Sequence, residues 1–182
     1  MSRTNPFKRK YRYARKTILF VGEGQTEKAF LDYVKSVYLT RDAGVSISVR
    51  PADGGSPEQM LNKAIRWKEG FDQTFILLDA DIPLPWQFMK KASSKKITVL
   101  LSDPCIEGEF LAVLQHAGFN KTGKSPEVCK RVFHQRYLSE DDKMDRDCYK
   151  RFFTRELFES SIINVDWLCK IVTIVRGKYG PK

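Results

Sequence analysis

ILFVGEGQTEKAFL, residues 18–31, passes from an apolar run through a Gly-Glu-Gly turn into a stretch whose apolar residues recur at helical spacing. The first part reads as a buried strand and the second as an amphipathic helix, with Phe30, Leu31, Val34, Val37 and Tyr38 on its apolar stripe. A strand that turns directly into a helix sets Glu23 at the strand's carboxyl end, where open α/β sheets hold their ligands. Two further apolar runs repeat the arrangement. Residues 74–78 end in Asp79-Ala80-Asp81, and residues 97–101 end in Ser102-Asp103-Pro104-Cys105-Ile106-Glu107. If these strands are parallel neighbours, their acids meet on one edge of a sheet.

The intervening segments fit that arrangement. Residues 45–49, VSISV, alternate with period two and read as another strand. After Gly54-Gly55, Ser56 suits an N-cap and Pro57 a first helical position, starting a helix that runs to about residue 68. Ile82-Pro83-Leu84-Pro85-Trp86 forms a loop into a short helix, and a further helix is expected over residues 109–117. Strands alternating with helices predict an α/β fold with a four-stranded, mostly parallel sheet flanked by helices. From residue 120 onward the pattern is helical, and Tyr149, Phe152, Phe153, Leu157 and Phe158 make an apolar stripe suited to core packing. The chain therefore divides into an arm (1–16), an α/β domain (17–119) and a helical C-terminal extension packed on it (120–182).

Among 182 residues, 32 Lys and Arg stand against 22 Asp and Glu, a formal charge of +10 that favours a polyanionic partner, nucleic acid above all. Residues 7–16, FKRKYRYARK, interleave Lys8, Arg9, Lys10, Arg12, Arg15 and Lys16 with Phe7, Tyr11 and Tyr13. Such cations neutralise phosphates while the rings stack on unpaired bases; the alternative is a solvated tail. No apolar run approaches the roughly 18 to 20 residues of a membrane helix, and the basic amino terminus lacks a secretory core. The expectation is a cytoplasmic protein without a membrane partner. Cys105, Cys129, Cys148 and Cys169 contain no C-x-x-C pair and read as free thiols.

An acid followed by Asp-x-Asp, each at a strand end, suits Mg²⁺, which takes one or two carboxylates and keeps waters and phosphates as its other ligands. In a continuing strand Asp79 and Asp81 would point the same way, with Glu23 across from them to bind a second ion or act as a general base. Alternatively, Glu23 and Asp79 cap the helices that follow them. Residues 118–125, GFNKTGKS, match the pattern of a nucleotide-binding P-loop. A helical segment precedes them, however, and Pro126 opens the next helix only after Lys124-Ser125, so Lys121 and Lys124 suit phosphate contacts better. His116 and His134 have no partner at metal-ligand spacing and read as surface or satisfied histidines.

Gly22-Glu23-Gly24-Gln25-Thr26-Glu27, followed by Leu78-Asp79-Ala80-Asp81, resembles the Toprim domain of topoisomerases, primases and overcoming-lysogenization-defect (OLD) nucleases. With Ser102-Asp103-Pro104-Cys105-Ile106-Glu107 added, residues 17–119 resemble the RloB-like branch, small Toprim proteins associated with bacterial defence; Gly55-Ser56-Pro57 matches a helix start found there. The resemblance implies a four-stranded parallel sheet and a Mg²⁺- or Mn²⁺-dependent nuclease acting on DNA or RNA in antiphage defence. It implies Glu23 as the acid-base or metal carboxylate, Asp79 and Asp81 as metal ligands, and Glu27 and Glu107 as second-site or supporting acids. It also implies a partner ATPase, and the alternative is a non-catalytic nucleic-acid-binding or regulatory subunit working with one. The chain departs from the pattern at Asp103, where Asn is usual, at Ile106, where an aromatic is usual, and at Glu109 in place of a Trp. Glu109 either substitutes in the second metal site or faces solvent.

Overall fold

The computed structural model describes residues 15–115, 119–139, 142 and 145–179. Lys8, Arg9, Lys10 and Arg12 of the basic arm, together with His116 and Gly118, lie outside the described residues. Four strands, β1 (Lys16–Gly22), β2 (Val45–Pro51), β3 (Gln73–Asp79) and β4 (Ile97–Ser102), form a sheet in the order β2-β1-β3-β4. Every pairing is parallel, so the sheet is wholly rather than mostly parallel.

Each crossover supplies a helix: α1 (Gln25–Tyr38), α2 (Pro57–Trp67) and α3 (Trp86–Ser94), with α4 (Ile106–Val113) after the last strand. Period-two alternation decides which side chains meet which helices. Leu19, Val21, Ile76 and Leu78 pack with Met60, Leu61 and Ala64 of α2 and with Phe88 and Ala92 of α3. Ile18, Phe20, Phe75, Leu77 and Leu100 face the opposite way, onto α1, α4 and the C-terminal helices. The first crossover thus lies on one face and the next two on the other. The chain reverses direction across the sheet between β1 and β3, which creates a crevice at their carboxyl ends.

Local chemistry starts the first two helices where the sequence predicts. At α1 the Glu27 carboxylate accepts a hydrogen bond from the Gly24 amide at 2.7 Å. At α2 the Ser56 hydroxyl accepts from the Gln59 amide at 3.3 Å, while the Gln59 side-chain oxygen accepts from the Ser56 amide at 2.9 Å. The turn from β1 into α1 is tight enough to need glycine, since a Cβ at Gly22 would stand 2.6 Å from the Glu27 Cβ.

α4 departs from expectation. It spans Ile106–Val113 instead of residues 109–117, because its first amide is satisfied from elsewhere in the chain: the Asp79 Oδ1 accepts from the Ile106 amide at 3.0 Å. The following helix, α5 (Pro126–Arg136), begins after Lys124 and Ser125, and the element before that loop is α4. Among the described residues, then, a P-loop lacks both its strand and its helix start.

A 3₁₀ helix (Arg146–Arg151), α6 (Arg155–Ser161) and α7 (Asp166–Val175) complete the chain. Phe30 of α1 lies in ring contact with Phe110, Tyr149, Phe153, Phe158 and Trp167, its centroid 4.6 Å from that of Phe110. Of the expected stripe, Tyr149, Phe153 and Phe158 are fully buried and Phe152 and Leu157 partly so. The C-terminal helices therefore share one core with the sheet. All four cysteines are free thiols. No helix among the described residues is long and apolar enough to cross a membrane.

Candidate functional site

Glu23 follows the last residue of β1 and Asp79 is the last residue of β3, so the two flank the crevice where the chain reverses. Between them opens a cleft of about 310 Å³ whose walls include Glu23, Glu27, Asp79 and Glu107, with Lys130 and His134 of α5. Four of the five acids expected at the site are brought together.

Crowding four acids raises the cost of ionising them. Burial, then the negative charges of Glu27, Glu107 and Glu23, push the Asp79 carboxyl up to about 8, and Lys130 offsets only part of this. Its Oδ2 lies 3.8 Å from the Lys130 Nζ. Glu23 is raised too, first by burial and then by Asp81, with Lys130 and the Asp79 backbone opposing. Glu27, 8 % exposed, is raised chiefly by burial, against the hydrogen bonds it accepts at the head of α1. Glu107 differs. Burial raises it, but His134, its own backbone amide, Lys130 and Cys105 together hold it below the ordinary carboxylate range. The Glu107 Oε1 stands 3.7 Å from the His134 Nε2, and its Oε2 is buried without a hydrogen-bond partner.

Asp81 occupies a different position from the one the spacing suggests. β3 ends at Asp79 and the chain turns there, leaving Asp81 exposed in the turn and not on a strand beside Asp79. It is near enough to Glu23 to raise that carboxyl, yet it does not line the cleft. Asp79 does cap a helix, though α4 and not the one that follows it.

Glu109 neither joins the cleft nor faces solvent. It is 3 % exposed and lies apart from Glu107, accepting at Oε1 from the Lys121 Nζ at 2.7 Å and from the Asp103 amide at 3.1 Å. Lys121 is thereby taken up in a largely buried ion pair. Lys124 is exposed in the turn before α5, and Arg15 is exposed with its guanidinium donating to the Arg41 carbonyl at 3.1 Å.

Lys130 is the site residue that sequence reasoning passed over, and His134, read there as a surface or satisfied histidine, joins it. They lie four apart on α5, the spacing that puts two side chains on one helical face, and that face turns toward the acids. The His134 Nδ1 hydrogen bonds with the Leu138 carbonyl at 2.8 Å, which leaves Nε2 directed at Glu107. The i, i+4 pair was the available signal; it differs in no way from a solvated helix face until a partner surface is known.

Among the described residues no group of three or more His, Cys, Asp or Glu side chains is arranged to hold a metal ion by itself. Compared with protein-family models, with curated proteins and with solved structures, the chain has no significant match in any of the three.

Proposed function

We propose that this chain is a Toprim-type, metal-dependent nuclease that cleaves phosphodiester bonds of DNA or RNA, with Mg²⁺ or Mn²⁺ as cofactor, in a bacterial antiphage setting. The observation that carries the reading is the convergence of Glu23, Glu27, Asp79 and Glu107 on one cleft at the point where the sheet reverses. The acid pattern also fits a hard divalent cation. Asp79 is pushed up to about 8 by burial and then by neighbouring negative charge, so its carboxyl calls for added positive charge, and the buried Glu107 Oε2 beside it lacks a hydrogen-bond partner. Since Mg²⁺ takes one or two carboxylates and keeps its waters, the lack of a three-residue cage among the described residues is compatible with it.

Glu23 and Asp79 would hold the ion, with Glu107 nearest in support. Bound there, a divalent cation neutralises the scissile phosphate and makes water a better nucleophile. The chain's own groups do the rest. In the alternative role to metal ligand, Glu23, raised by burial and by Asp81, is suited to accept a proton from the attacking water. Lys130, 45 % exposed, offers a cation to the phosphate from the α5 side of the cleft. Exposed Lys124 and Arg15, with the basic arm, would engage the nucleic-acid backbone.

The test is cleavage of plasmid DNA, single-stranded DNA and total RNA with Mg²⁺, Mn²⁺ or EDTA, by wild type, Glu23→Gln and Asp79→Asn. Metal-dependent cutting lost in both variants is expected, and a variant with full activity would refute the assignment. One observation favours the second reading, a non-catalytic regulatory or nucleic-acid-binding subunit working with a partner ATPase: Lys130 already gives the Asp79 carboxylate a cation at 3.8 Å. Salt-sensitive binding without cleavage, with the ATPase present and under every metal, would select it.

A further inference from the structure

Trp86 differs from the chain's other tryptophans. Trp167 is 6 % exposed in the main core and Trp67 is partly buried against the α2/α3 side, whereas Trp86 is 65 % exposed. It opens α3 directly after the loop that leaves β3, and Pro83 and Pro85 restrict the backbone of that loop. Exposed Ile82 stands in the same loop, and exposed Met89 lies three residues along the helix, on the face of Trp86. Three of the five large apolar side chains exposed among the described residues therefore belong to this one corner.

The charge around it has a single sign. Residues 82–96, IPLPWQFMKKASSKK, hold four lysines and no acid. The Lys90 ammonium lies over the Trp86 ring, 5.3 Å from its centroid. Lys91 is shared with Glu58 at 2.8 Å, but exposed Lys90, Lys95 and Lys96 pair with no carboxylate among the described residues. A second copy docked on this corner would set these cations against a chain that itself carries +10. An aromatic face beside unpaired cations fits a strand of unpaired nucleotides instead, since the ring stacks on a base while the ammonium groups meet phosphates.

The corner lies on the same side of the sheet as the acidic cleft. α3 follows β3 in a parallel crossover, so it begins where the strands end. Asp81, whose charge bears on Glu23, comes five residues before Trp86, and at no more than about 3.6 Å per residue their backbones lie within about 18 Å of each other. We propose that Trp86 and Lys90, with Lys95 and Lys96 farther along, bind single-stranded nucleic acid and lead it to the cleft. Trp86 stacks on an unpaired base and the lysines meet the backbone phosphates. As the form of substrate the cleft receives, this rests on the proposed nuclease reading; as a binding surface it stands without it.

Fluorescence anisotropy with the full chain in EDTA, where metal-dependent cleavage does not run, tests the binding. The probes are labelled homothymidine and homouridine oligonucleotides and a duplex of equal length. Wild type should bind a single strand more tightly than the duplex, and the tighter of the two homopolymers separates DNA from RNA. Trp86→Ala should weaken single-strand affinity by at least about fivefold, and Trp86→Tyr should recover most of it. Lys90→Ala should lower the slope of log affinity against log salt by about one. A single strand should also quench the tryptophan emission of wild type more than that of Trp86→Tyr, with circular dichroism confirming that each variant is folded. Single-strand affinity unmoved by Trp86→Ala, an equal loss on duplex and single strand, no recovery in Trp86→Tyr, or a wild-type dimer that Trp86→Ala dissolves would each overturn the proposal. None of these results bears on the cleavage assay of Glu23 and Asp79, so the two readings fail separately.

Discussion

Asp79→Asn replaces an ionisable carboxyl in the cleft with a neutral amide while keeping an oxygen that can accept from the Ile106 amide. Burial and the acids Glu27, Glu107 and Glu23 shift the Asp79 carboxyl from an ordinary 3.8 up to about 8. Between those values the folded chain keeps a proton that the unfolded chain has released. More protons bound to the folded state means that stability falls as pH rises, the loss beginning above the unfolded pKa and ending once pH passes the folded one. The slope is about 1.4 kcal/mol per pH unit, so from pH 5 to pH 7 the penalty is on the order of 3 kcal/mol. The side chain is only 10 % exposed, which limits screening by solvent. Asparagine does not titrate, so the variant should gain on wild type by about this amount over the same interval. Urea unfolding of both proteins at pH 5, 6, 7 and 8, without divalent cation, measures the difference. Adding Mg²⁺ at pH 8 should then raise the wild-type midpoint more than that of the variant. A difference between the two proteins that does not change with pH, or an asparagine variant less stable than wild type at pH 8, would refute the reasoning.

Gly22→Ala places a Cβ at 2.6 Å from that of Glu27 and should lower stability by about 1–3 kcal/mol, read from thermal unfolding. Lys121→Ala strands the buried Glu109 carboxylate and should cost about 3 kcal/mol, while salt-dependent affinity for an oligonucleotide stays at the wild-type value, as a structural lysine requires. His134→Ala removes the foremost of the contacts that hold Glu107 below its ordinary range against the effect of burial. The variant should be less stable than wild type at neutral pH, and acid titrations should show the gap closing as pH falls and Glu107 protonates in both proteins, last in the wild type.

The reach of sequence reasoning differs from residue to residue. The turn at Gly22 to Gly24 and the Ser56-Pro57 helix start are local: propensity, capping and apolar period act within a few residues, and the structure follows them. α4 was misplaced by three residues because its cap comes from Asp79, 27 positions away, and no local pattern carries that contact. A continuing strand would point Asp81 the same way as Asp79, but the turn at Ala80, whose amide donates to the Ser102 carbonyl at 2.9 Å, ends the strand first. Lys121 looked like a free cation in a basic loop, and only the fold brings Glu109 beneath it. Lys130 is hidden for the same reason, and what His134 is satisfied by is not legible until the fold is known: a helical face gains meaning from what it covers.

Backbone contacts hold several acids around the cleft. Glu27 is bound to the Gly24 amide and Asp79 to the Ile106 amide, while the Asp79 backbone bears on Glu23. Side chains fixed in this way surrendered their rotational entropy when the chain folded. A ligand entering the cleft then loses mainly its own freedom and meets carboxylates already in position. Calorimetry of binding there should show a small conformational entropy change in the protein, and the favourable part of the free energy should come from charge compensation and released water.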